Sequence, residues 1–246
     1  MFKPVIYCVG DSHSTFFAGR DRIQADRSWR RLIPCFRVFY LGPVLAYNLP
    51  KNGTTTGGRE KFLALLGKEI PRGSWIMTVF GEIDTRAHLL GQVDKKGLSV
   101  EQVTEACAEN YFSFVMELRE RGYRPIVYNV VASRPDWDGM SASQKIDFPY
   151  EGTQAERNHA VRLLNKGLQR RCREQNIPFL DTFDLLVDEN GVTRPECYMD
   201  EIHLSQHIMP ETMERLRTLL PDLPLKLPKR YWRERERAAA AKKDVN

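Results

Sequence analysis

The chain has 246 residues, enough for one or two domains with a sizeable core, and its 42% hydrophobic and 28% charged content is that of an ordinary globular protein. No apolar stretch approaches the roughly 20 residues a membrane helix needs, and the short run from Met1 into the first apolar segment leaves no room for a signal peptide, so a cytoplasmic location and no membrane partner are expected. Of the formal +5, a net +4 sits in residues 229–246 (seven Lys/Arg against three acids), and the near-neutral remainder argues against a nucleic-acid-binding domain.

Five apolar runs rich in β-branched residues, 4–10, 36–42, 74–81, 124–131 and 177–183, read as strands. Helical spacing fills most of the intervals. Phe62, Leu63, Leu65 and Leu66 mark a helix over 56–70. Val103, Cys107, Tyr111, Phe114, Val115 and Leu118 mark one over 100–121, and Ala160, Leu163, Leu164, Leu168 and Cys172 one over 153–175. A last helix is expected over 210–220. Strands separated by helix-length segments predict βαβ units and a central, mostly parallel five-stranded sheet in a three-layer α/β/α sandwich.

Between these lie irregular segments. Residues 13–35 carry a charged stretch (Arg20, Asp21, Arg22, Asp26, Arg27, Arg30, Arg31), read as a solvated loop with a short helix. Residues 132–152 read as a long loop of the kind that often serves a site; its Trp137, Phe148 and Tyr150 either stack on a substrate or pack the loop down. Prolines at 221, 224 and 228 end the main domain, assigned to 1–228, and leave 229–246 as a basic tail. That tail has helix-forming composition without an apolar stripe, so an exposed, frayed helix is expected. The cysteines (8, 35, 107, 172 and 197) are odd in number and lack CxxC spacing, which points to reduced packing thiols rather than a disulfide frame or zinc site.

Two short motifs carry chemistry. The first strand ends in Gly10-Asp11-Ser12-His13-Ser14, which sets a serine hydroxyl at the carboxyl edge of the sheet, where open α/β sheets bind ligands. After the last strand comes Asp200-Glu201-Ile202-His203. A serine hydroxyl is inert near neutral pH until a base takes its proton. His203 suits that task, and Asp200 would fix its tautomer and stabilise the imidazolium. The alternatives are plainer. Ser12 could be a helix cap, Ser14 a rival nucleophile, His203 a hydrogen-bonded loop residue, His207 a surface residue and His159 structural.

Together the two motifs resemble the first and last blocks of the SGNH (GDSL) hydrolases, and the likeness runs from about residue 4 to about 220. The resemblance implies a three-layer α/β/α fold, an ester hydrolase or acyltransferase working through Ser12, Asp200 and His203, and no cofactor or metal. It also implies an oxyanion hole built from the nucleophile's own N–H, a Gly N–H after the second strand, which Gly42 matches, and an Asn side chain. The Asn block, normally Gly-x-Asn-Asp, here reads Gly81-Glu82-Ile83-Asp84, so Ile83 stands where Asn is expected. Arg86 and His88, taken as following in the same loop, and Asn48, beyond Gly42, are candidate substitutes. Arg86 in particular is expected to contact substrate or oxyanion, and Glu82 and Asp84 either line the site or pair with Arg86. The expected substrate is a small or carbohydrate O-acyl ester. Two other readings stay open: a non-catalytic glycan- or partner-binding module, favoured by Ile83, and a metal-dependent phosphoesterase drawing on Asp11, His13, Glu82, Asp84, Asp200, His203 and His207. The oligomeric state is not read from sequence.

Overall fold

The computed structural model describes residues 6–23, 32–134 and 150–243. Strands β1 (Ile6–Gly10), β2 (Phe36–Tyr40), β3 (Trp75–Val79), β4 (Arg124–Tyr128) and β5 (Phe179–Leu180) form one all-parallel sheet in the order β2-β1-β3-β4-β5. The helices are α1 (Gly58–Leu63), α2 (Glu82–Ala87), α3 (Leu89–Lys96), α4 (Val100–Glu120), α5 (Gln154–Glu174), α6 (Phe183–Leu186), α7 (Met209–Leu219) and α8 (Lys229–Lys243).

The period-two alternation of strands divides the core between two faces. Tyr7, Val9, Ile76 and Val127 face one cluster, where Phe62 of α1, Cys107, Tyr111, Phe114 and Leu118 of α4, and Leu164, Leu168 and Cys172 of α5 cover them. Ile6, Cys8, Met77, Val79, Ile126 and Tyr128 face the other, covered by Phe16 and Phe17 of a 3-10 turn (Ser12–Ala18) and by Met209, Met213 and Leu216 of α7. The two long helices start on capping boxes, Ser99 with Gln102 and Thr153 with Glu156, which satisfy the first free backbone donors. All five cysteines are free and buried. Among the described residues, no helix is long and apolar enough to cross a membrane.

The expected architecture is present, with differences in detail. The helix expected over 56–70 is helical only from Gly58 to Leu63; Leu65 and Ile70 reach the core from turns, with Ile70 N–H donating to the Leu65 carbonyl. The segment holding Glu82, Arg86 and His88 is not a loop. Glu82–Ala87 is helix α2, and all six residues are buried, so it has no polar face to produce a helical stripe in the sequence. Gly81 begins it at φ 110°, a conformation only glycine adopts easily, and a side chain there would strike Val130. In the tail, Tyr231 of α8 is fully buried among the second core cluster, its hydroxyl donating to the Gln206 carbonyl at 3.2 Å. Arg235 and Glu234 add ion pairs to Asp21 and Arg20. One aromatic anchor, rather than a stripe, docks the helix, and Trp232 beside it is exposed. Asp26, Arg27, Arg30, Arg31, Trp137 and Phe148 lie outside the described residues.

Candidate active site

The strand order reverses direction at β1, with β2 on one side and β3 on the other, so the crevice beyond the ends of β1 and β3 is the sheet's switch point. The Gly10–Ser14 motif begins there, at the end of β1. Gly10 is the last residue of β1, and a Cβ on it would lie 2.0 Å from the Val79 carbonyl oxygen, so glycine is required for β1 and β3 to lie this close. Asp11 then caps the 3-10 turn: its Oδ1 accepts the His13 N–H at 2.9 Å. Ser12 is therefore the first residue of the turn rather than its cap. From residue 6 to 19 it is the one residue that is not buried. Ser14, the rival hydroxyl, is fully buried and donates to the Asp11 carbonyl at 2.7 Å.

Asp200 and His203 arrive from beyond the opposite edge of the sheet. An antiparallel bridge between Tyr198 and Leu204 closes the intervening residues into a tight loop, and the Met199 N–H donates to the His203 carbonyl at 2.8 Å. Within it, Asp200 Oδ1 accepts the backbone N–H groups of Ile202 (2.8 Å) and His203 (2.7 Å). The same carboxylate meets His203 Nδ1 at 2.9 and 3.0 Å, and His203 Nε2 lies 2.8 Å from Ser12 Oγ. Three side chains separated by 188 and 191 positions in sequence thus form one hydrogen-bonded relay. Partial burial would raise the Asp200 pKa, but the bonds from the His203 ring and from the two N–H groups outweigh it and bring the group to about 2. Asp200 is accordingly an acceptor in the neutral range, which makes His203 Nδ1 the protonated nitrogen and leaves Nε2 a lone pair facing Ser12.

The remaining sequence candidates divide. Gly42 follows β2 in the left-handed region (φ 87°), with the preceding Leu41 N–H bonded to the Gly10 carbonyl, so it borders the end of β1. Asp84 is buried and does not pair with Arg86. It accepts the N–H groups of Ala46 (2.7 Å) and Tyr47 (3.1 Å), tying α2 to the loop after β2. Asn48 in that loop accepts a bond from Lys51 at 3.2 Å. His88 ends α2 and starts α3. His207 is exposed, its N–H bonded to Ser205. His159 is on the exposed face of α5, 3.9 Å from Glu101. Among the described residues, no three His, Cys, Asp or Glu side chains are grouped to hold a metal ion.

Glu82 and Arg86 form a buried pair, Nε to Oε1 at 2.6 Å. On its other side Glu82 Oε2 lies 3.6 Å from His13 Nε2, just past hydrogen-bond reach, and the His13 ring sits 5.2 Å from the His203 ring. Burial alone would raise the Glu82 pKa, yet His13 and Arg86 bring it to about 2; burial lowers that of His13 and keeps it neutral. The Arg86 guanidinium lies 5.4 Å over the Tyr150 ring, and that of the fully buried Arg157 lies 4.6 Å over the same ring. The sequence reading weighed His13 only as a metal ligand. Its place one residue after Ser12, inside a buried turn, was the available signal for a ring packed against the relay.

No protein-family model matches the chain, and no curated protein matches it. Solved structures do. A protein described as a lipolytic member of the G-D-S-L family from Desulfitobacterium hafniense DCB-2 is 16% identical with a TM-score of 0.52, the alignment covering 89% of this chain and all of that one. A protein described as an acylhydrolase from Bacteroides fragilis NCTC 9343 is 12% identical (TM-score 0.45, 90% and 88% covered), and the C-terminal domain of Drosophila Oskar is 13% identical (TM-score 0.49, 87% of each covered). With its five-stranded parallel sheet and its serine turn after β1, the chain has the α/β/α fold of the SGNH (GDSL) hydrolases.

Proposed function

We propose that the protein is a serine-dependent ester hydrolase acting through an acyl-enzyme on Ser12. The observation that carries this reading is the 2.8 Å contact from Ser12 Oγ to His203 Nε2, with Asp200 on the far side of the ring. Ser12 Oγ attacks the ester carbonyl while its proton passes to His203 Nε2. Asp200 stabilises the imidazolium so formed. The tetrahedral intermediate collapses, His203 protonates the departing alkoxide, and an acyl-serine remains. Water, deprotonated by the same His203, then releases the acid; a sugar hydroxyl in place of water would make the enzyme an acyltransferase.

The negative oxygen of the intermediate is stabilised by the backbone N–H groups of Ser12 and Gly42 in this reading. Ile83 has no donor, and Arg86 is already bonded to Glu82. A missing donor costs about 100-fold or more in rate, so slow turnover is expected. A small or carbohydrate O-acyl ester is the proposed substrate class.

Ile83 also favours a second reading, a binding module on the same fold. One experiment separates the two. Purified protein is treated with a fluorophosphonate probe, with and without chelator, beside Ser12→Ala and Ser14→Ala. Chelator-insensitive labelling lost only in Ser12→Ala is expected. Absence of labelling in the unaltered protein, with no ester turnover, refutes the hydrolase and leaves the binding module.

A further inference from the structure

The relay does not end at Asp200. Tyr150 lies outside both motifs, yet its hydroxyl donates to the Glu201 carbonyl oxygen at 2.5 Å. Glu201 C=O and Ile202 N–H belong to a single peptide unit, and that N–H donates to Asp200 Oδ1 at 2.8 Å. A rigid plane thus links the tyrosine hydroxyl to the carboxylate. The sequence of donors and acceptors runs Tyr150 O–H, Glu201 C=O, Ile202 N–H, Asp200 carboxylate, His203 ring, Ser12 hydroxyl. The two arms meet at the carboxylate, which accepts the Ile202 N–H from one side and the His203 Nδ1–H from the other.

Tyr150 is itself held. The Arg86 and Arg157 guanidinium groups both lie over its ring, at 5.4 and 4.6 Å from the centroid. The next residue, Glu151, donates its N–H to the Arg86 carbonyl at 2.8 Å and accepts the Gly91 N–H at 2.7 Å. Arg157 is anchored in turn by Ser133 at 2.7 Å and by the Gly152 carbonyl at 2.5 Å. Burial pushes the Tyr150 hydroxyl up to about 12, so it remains a donor through the neutral range.

We infer that Tyr150 is a positioning residue for the relay: by fixing the Glu201–Ile202 peptide it sets the orientation of the Asp200 carboxylate, and through it the tautomer and aim of His203. The inference rests on the ester-hydrolase reading for its effect on rate, but not for its effect on geometry. A loop of seven residues, 198–204, closed by one bridge, has few means of its own to fix a peptide plane. Tyr150 supplies one from α2 and α5.

The test is Tyr150→Phe, which keeps the ring beside the two arginines and removes only the hydroxyl. Two measurements are made. In the free protein, the low-field proton resonance of the His203 Nδ1–H···Asp200 bond is recorded by NMR. With an activated ester, kcat and KM are measured separately. The expected result is a displaced or broadened resonance and a kcat lower by about five- to ten-fold, the worth of one lost hydrogen bond, with KM changed by less than two-fold. Fluorotyrosine placed at 150 keeps ring and hydroxyl and should restore both. An unaltered resonance overturns the inference whether or not the protein turns over esters. So does a rise in KM at constant kcat, which would make Tyr150 a substrate contact. If Tyr150→Phe is too unstable to isolate, failure of the fluorotyrosine protein to keep the native resonance overturns it as well. Absence of turnover in the unaltered protein refutes the hydrolase reading alone, and the resonance still decides the inference.

Discussion

Replacing Glu82 by Gln removes the carboxylate from a buried ion pair. The Glu82 and Arg86 side chains are 8% and 5% exposed, and Arg86 Nε lies 2.6 Å from Glu82 Oε1. Breaking a buried pair from one side costs about 3–5 kcal/mol. His13 and Arg86 together bring the Glu82 carboxyl to about 2 in the folded protein, below its ordinary value. For a domain this large each kcal/mol moves the melting temperature by about 2–4 °C, so Glu82→Gln should melt about 6–20 °C lower near neutral pH. The sign of the pH dependence follows from the depressed pKa. The stabilisation is complete above the unfolded-state value and is lost as pH falls from about 5 toward about 2, so the two proteins should converge in stability across that window. Urea titrations at several pH values measure both effects. A Glu82→Gln protein within about 1 kcal/mol of the original at neutral pH, or a gap that stays constant down to pH 3, would refute the reasoning.

Two shorter predictions concern other parts of the molecule. Asp200→Asn keeps the shape of the relay but offers His203 Nδ1 an amide, which permits the wrong tautomer; kcat for ester turnover should fall by about 10⁴-fold with the fold intact by circular dichroism. Tyr231→Ala empties a fully buried site beneath α8 and should cost about 3–5 kcal/mol in chemical denaturation, whereas a helix merely appended to the domain would melt without changing the main transition.

Sheet, layers and both halves of the relay were legible in the sequence because each is locally encoded. The strands are short β-branched runs, the long helices show a 3.6-residue stripe, Gly10-Asp11-Ser12 begins at the end of β1, and Asp200 and His203 lie within four residues of one loop. What local pattern does not encode was missed. Helix α2 is buried on every side, so its sequence has no amphipathic period. Tyr231 anchors α8 by a single ring, too little to register as a stripe. The division of labour among Glu82, Asp84 and Arg86 depends on which way each residue of one turn points: Asp84 toward the loop after β2, Glu82 toward His13. Spacing alone gave them one shared fate.

The position of Ile83 gains meaning from that division. An Asn there would need α2 to present its second residue to the crevice, but Ile83 is buried while Glu82 beside it approaches His13 and bonds to Arg86. Glu82 is paired with Arg86, whose guanidinium lies over the tyrosine that bonds back to the Asp200–His203 loop. The relay is thus flanked by the His13 ring, 5.2 Å from that of His203, and tied through the Glu201–Ile202 peptide to Tyr150. In the proposed hydrolase such contacts would hold nucleophile and base in place, a different contribution to rate from donors aimed at an oxyanion. A fall in kcat at constant KM in Tyr150→Phe measures the first contribution.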